Sequence, residues 1–122
     1  MNQYYESVGH FIYGFERAKF EFRVLAAQVS GDEVKAAATP AEFLALIENT
    51  RVRLAALGIA AAGQANFDAL TDKLAQLAEI EARPFPPSEQ RGAMAELAAE
   101  PDAAIALLAL CRQDLARLRA RA

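Results

Sequence analysis

The sequence predicts an all-α protein: a compact bundle of four main helices plus one short helix, with short connections. Three observations predict it. Alanine, leucine, glutamate and arginine are abundant, and these are strong helix formers. β-branched residues are few and never form an alternating run. Apolar residues instead recur at steps of three and four between recognisable helix starts and stops. At 122 residues the chain reads as a single domain over 1–122. That length can bury roughly two-thirds of the unfolded surface without a disulfide or metal.

The stretch YYESVGHFIYGFERAKFEFRVLAAQV predicts a long first helix. Tyr4, Val8, Phe11, Phe15, Ala18, Phe22, Leu25 and Val29 form one heptad-like seam. Gly31 is the expected C-cap. In ATPAEF, Thr39 is the expected N-cap of the second helix, with Pro40 at N1 and Glu42 closing a capping box. That helix carries Phe43, Ile47, Thr50, Leu54 and Leu57, and stops at Gly58. The third carries Phe67, Leu70, Leu74, Leu77 and Ile80, with Asn66 as the expected cap.

EARPFPPSEQ then ends it, because proline lacks the amide proton and its ring clashes with the preceding turn. The stretch reads as a stiff turn that could present Phe85 to a partner. Ser88 is expected to cap a short helix carrying Met94 and Leu97. Pro101 is expected at N1 of the last helix, whose seam is Ala104, Leu108, Cys111, Leu115 and Leu118.

The first helix has a second apolar stripe. With 100° per residue, Gly9, Tyr13, Phe20, Val24 and Ala27 lie opposite the seam, interrupted by Glu16 and Arg17. An apolar arc on the back of an amphipathic helix needs a cover. The rest of the bundle could supply it by wrapping a central helix. A second copy could supply it through a two-fold helix contact, or a ligand or foreign protein could fill it. On one flank of the same helix, Glu16, Lys19 and Arg23 form a candidate polar cluster, read first as a surface ion pair of little energetic weight.

The charge is mild, -3 from 13 basic and 16 acidic residues, which argues against nonspecific nucleic-acid binding. One cysteine excludes an internal disulfide and suits a reducing compartment. The start of the chain has no basic and apolar pattern of a secretory signal, and no long uncharged apolar run suggests a membrane span. A cytoplasmic protein is expected.

No phosphate-binding glycine loop, Cys-x-x-Cys, His-Glu-x-x-His or nucleophile elbow occurs. His10 is the only histidine, too few for a metal site, and reads as a solvated residue beside Glu6, Arg17 and Glu21. Cys111 falls on a core seam and reads as a structural thiol. The arginines of RQDLARLRARA spread around the last helix and complement its dipole rather than forming a patch. No catalytic, cofactor or metal residues are expected.

SVGHFIYGFERAKFEFR resembles the first helix of small bacterial helical proteins of the HEPN superfamily, with Glu16 and Arg23 at the positions of its glutamate and arginine. FDALTDKLAQLAEIEARPF resembles their third helix, and SEQRGAMAELAAE with LARLRARA their last part. The resemblance implies a helical bundle that dimerises. In that family an Arg-x4-6-His motif cuts RNA. Here Arg83 is followed by PFPPS and no histidine comes after it, so the resemblance implies a member without the nuclease motif.

The expected function is a non-enzymatic interaction or regulatory protein that self-associates through the first helix, as a homodimer or with a protein partner. The alternatives are a small-ligand-binding regulatory domain, with Tyr4, Tyr5, Tyr13 and Phe20 as pocket aromatics, or a catalytically inactive HEPN-like toxin- or defence-type protein.

Overall fold

Four helices carry the apolar seams. The computed structural model describes residues 2–120. Helix α1 spans Asn2–Ser30, α2 Pro40–Ala56, α3 Ala61–Ala82 and α4 Arg91–Ala120. The starts and stops follow local chemistry. Thr39 is extended, accepts the Glu42 amide on its hydroxyl, and receives the Glu42 carboxylate on its own amide, closing the capping box. Gly31 and Gly58 have positive φ, the left-handed conformation that ends a helix cheaply only at glycine.

Side-chain pairs fix the sense of each helix. His10 faces Asp102, Glu21 faces Arg112, and Arg119 donates to the Gln28 carbonyl, so α1 and α4 run parallel. Asn66 pairs with Asp114 and Lys73 with Glu100, so α3 is antiparallel to α4. Helix α2 returns into α3 through a short turn and therefore runs with α1. This needs a connector that travels back along α1. Residues 31–39 do so: Ala36 and Ala37 lie beside Glu16, Lys19 and Arg23, and Val34 is half-buried on the core. Contacts join α1 to α4 and α2, and α3 to α2 and α4, which closes the bundle.

One continuous core fills the centre. Phe11, Phe15, Phe22, Phe67, Leu70, Leu74, Leu77, Met94 and Leu108 are buried. Phe43 meets Phe15 and Phe22 edge-on, with ring centroids 6.1 and 6.0 Å apart, a favoured aromatic geometry. The inward seam of α1 is as expected, with Tyr4 and Val8 half-buried at its start. Leu57 is not part of the α2 seam: it is the C-cap residue and stays exposed.

Four sequence expectations are corrected. There is no separate short helix: α4 is continuous, and Pro101 lies inside it rather than at N1. Met94, Ala98, Pro101, Ala104 and Leu108 are all buried on one stripe, so both halves dock on the same core and packing outweighs the lost Leu97 hydrogen bond. The ring also has a seat. A Cβ on Gly14 would come within 2.9 Å of the Pro101 Cβ, so only glycine lets α1 approach the proline. Gly14→Ala should therefore destabilise the fold by about 1–3 kcal/mol through overpacking, despite alanine's better helix propensity, as read by urea denaturation.

Ser88 does not cap α4. It lies in a turn in which the Gln90 amide donates to the Pro87 carbonyl at 2.8 Å, and Gln90 then accepts from the Met94 amide. Asn66 does not cap α3, which starts six residues earlier after Ala60; Asn66 donates instead to Asp114 on α4 at 2.9 Å. Phe85 is not presented outward. It packs edge-on against Phe11 at 5.5 Å, and the Tyr4 hydroxyl donates to the neighbouring Pro86 carbonyl at 2.7 Å. The proline turn thus clamps the start of α1.

Candidate functional site: the outer face of the first helix

Helix α1 is not wrapped. Its two sides are occupied: α4 covers the flank of Gly14, His10 and Glu21, while α2 and the returning connector cover the flank of Lys19. Between them, opposite the core seam, an arc of roughly 120° stays open. The central-helix reading of the second stripe fails at Gly9, Tyr13 and Phe20, which are exposed, whereas at the end of the helix Val24 and Ala27 are half-buried beside residues 31–34 and Arg119.

The arc is unusually apolar. Tyr5, Ile12, Tyr13 and Phe20 are 63, 46, 72 and 59% exposed. The other large exposed apolar side chains of the described residues, Leu44, Val52, Leu57 and Leu110, lie on other elements. Of the five stripe residues expected from sequence, Gly9, Tyr13 and Phe20 are exposed, while Val24 and Ala27 are half-buried. Tyr5, expected only as a pocket aromatic, and Ile12, not singled out, extend the stripe. Their 100° positions fall on its edge, and counting from a strict opposite pole leaves them out.

The polar cluster resolves into two parts. The Lys19 ammonium sits 2.6 Å from the Glu16 carboxylate and 3.7 Å from that of Glu81, and above the Phe15 ring. Arg23 does not join this ion pair. Its guanidinium lies 5.7 Å from the centre of the Phe20 ring, a cation–π arrangement, and among the described residues it meets no carboxylate within salt-bridge range. Phe20 is thus propped outward by its own neighbour.

The remaining chemistry-bearing residues do not converge. His10 Nε2 is 3.5 Å from Asp102 Oδ1, with both side chains largely exposed. This pair lines a shallow groove of about 610 Å³ between the starts of α1 and α4, together with Glu6, Ser7 and Arg91. The groove contains none of the four aromatics expected for a ligand pocket: Tyr4 is tied to Pro86, and Tyr5, Tyr13 and Phe20 face outward. The arginines of the last helix are spread as expected. Arg112 pairs with Glu21, Arg117 with Asp114, and Arg119 with the Gln28 carbonyl, while Arg121 lies outside the described residues.

Cys111 is buried, and its thiol pKa is pushed up to about 12, by desolvation first and by the Asp114 charge second. The thiolate is the nucleophile, so this thiol is inert. Alkylation at pH 8 should require denaturant, which mass spectrometry after iodoacetamide treatment would read. The same shift makes stability pH-dependent. The folded thiol stays neutral where the unfolded one ionises. The contribution is therefore full below the unfolded pKa and lost as pH rises towards 12.

No helix among the described residues is long and apolar enough to cross a membrane. Comparison with family models, curated proteins and solved structures finds no match.

Proposed function

We propose that this protein is a non-enzymatic interaction module that self-associates through the outer face of α1. The observation that carries the reading is the open arc of Tyr5, Ile12, Tyr13 and Phe20 on a helix whose other sides are covered. An aromatic side chain buries about 150–250 Å² when fully enclosed. At their exposures the four side chains leave on the order of 400–500 Å² of largely apolar surface, near the top of what a monomer usually shows. Two copies facing one another would hide roughly 1,000 Å², the lower limit of a specific interface. The expected species is a reversible, concentration-dependent dimer, not an obligate one.

A second copy fits better than an ion, metabolite or nucleic acid. The large side chains of the face stand outward, and the hollow beside Phe20, lined also by Lys19, Arg23 and Ala36, is only about 180 Å³, small for a small-molecule site. Among the described residues the face carries one arginine without a carboxylate partner, Arg23, not the basic stripe that nucleic-acid binding needs. The test is the solution mass of the unmodified protein against Phe20→Arg. Dissociation with the helical content unchanged supports the reading. Unchanged mass, fold and partner binding would remove it.

A further inference from the structure

The pairing has a register. We propose that two copies of α1 pack antiparallel about a two-fold axis level with Ala18, with Gly9 of each copy seated against Ala27 of the other. This rests on the self-association reading above and deepens it.

Gly9 is the starting point. A glycine within a helix costs roughly 1 kcal/mol relative to alanine. Elsewhere in the chain the cost has a reason in the fold: Gly31 and Gly58 need positive φ, and Gly14 and Gly63 are closely approached by side chains. Gly92 lies in the first turn of α4, where the cost is small. A Cβ on Gly9 would meet nothing within 4 Å, and its φ is ordinary. Nothing inside the chain requires glycine there, and Gly9 lies at the middle of the open arc. A small residue at that place lets another backbone come close.

The spacing then selects the partner residue. Gly9, Tyr13, Glu16, Phe20, Arg23 and Ala27 follow steps of four and three, the heptad seam of a helix pair. In a two-fold contact, residue i meets j and j meets i. Pairing Gly9 with the second copy's Ala27 sets small against small. The same axis brings Tyr13 opposite the second copy's Arg23, Glu16 opposite its Phe20, and Ile12 opposite its Val24. All four pairs share one midpoint.

The charges agree. Among the described residues Arg23 has no carboxylate within salt-bridge range, Asp32 and Glu33 only lining the same hollow, and the largely exposed Glu16 pairs there only with Lys19. In this register Arg23 reaches the second copy's Glu16 one turn along from Tyr13, and symmetry repeats the pair. A parallel pairing would set Arg23 beside Arg23 and Glu16 beside Glu16, and like charges repel.

Cysteine cross-linking tests the register against a quiet background, because Cys111 is buried. Gly9→Cys and Ala27→Cys are made separately and then mixed. The two positions lie about 27 Å apart along one helix at 1.5 Å per residue, so neither forms an internal disulfide. Under mild air oxidation with a copper catalyst, the mixture should give a covalent heterodimer and each variant alone should give little. Efficient cross-linking of either variant alone, or none in the mixture of a protein that still dimerises, would overturn the register and leave the dimer standing. A protein that is monomeric at every concentration would remove both.

Should Ala27→Cys fold poorly, charge reversal carries the same test. Glu16→Arg and Arg23→Glu should each raise the dissociation constant several-fold, and the combined variant should return towards the starting value. A combined variant weaker than either single one would contradict the register.

Discussion

Phe20→Arg should leave the monomer folded and raise the dissociation constant of the dimer by at least about 100-fold. Phe20 is 59% exposed, so it contributes little to the core. In a two-fold interface each ring is present twice. Enclosing the exposed part of one ring hides about 120 Å², worth about 3 kcal/mol at 25 cal/mol per Å². Losing two rings costs about 6 kcal/mol; each new guanidinium stands opposite the second copy's Glu16 in the register above and recovers at most about 1 kcal/mol, so the net loss still exceeds the 2.7 kcal/mol that corresponds to 100-fold. Sedimentation velocity at several concentrations reads the change, and circular dichroism checks the fold. A dimer of undiminished strength would place the contact elsewhere.

Two residues along, the same type of side chain has the opposite role. Phe22 is fully buried and lies between Phe43 and Phe67, with ring centroids 6.0 and 6.3 Å away. Phe22→Ala removes its transfer free energy and leaves a cavity, a loss of about 3–5 kcal/mol. Against a total stability of about 5–15 kcal/mol, that endangers the fold at physiological temperature. Urea denaturation of the variant should show a midpoint far below that of the unmodified protein. A loss under about 1 kcal/mol would mean that the inward seam of α1 is not the centre of the core. The contrast between Phe20 and Phe22 is the division of α1 into a folding face and an open face.

Much of this was legible in the sequence because it is local. Thr39, Pro40 and Glu42 specify a helix start through atoms three residues apart, and the structure has that start where expected. The α1 seam follows from helix geometry alone. The unbroken α4 was also readable: the seam of Met94, Ala98, Pro101, Ala104 and Leu108 passes through the proline without a change of phase. Proline's local cost was given more weight than the packing that outweighs it.

Other features depend on residues far apart in the chain. That Asn66 serves Asp114 and not the start of α3 follows only once the two helices are adjacent. The parallel run of α1 and α4 depends on a connector that folds back, and a short run of alanines does not announce its path. Whether the rear stripe of α1 is covered was likewise a question of topology. The sequence could locate Tyr13 and Phe20 opposite the seam, but only the placement of α2 and α4 leaves them outside.

The central claim is that the open face of α1 joins two copies. Its most direct test is the absolute mass of the unmodified protein, by light scattering on a sizing column over a wide range of loading concentrations. The account predicts a mass that rises with concentration from one chain, 13.2 kDa, towards two. A mass that stays at one chain at the highest concentration would contradict it.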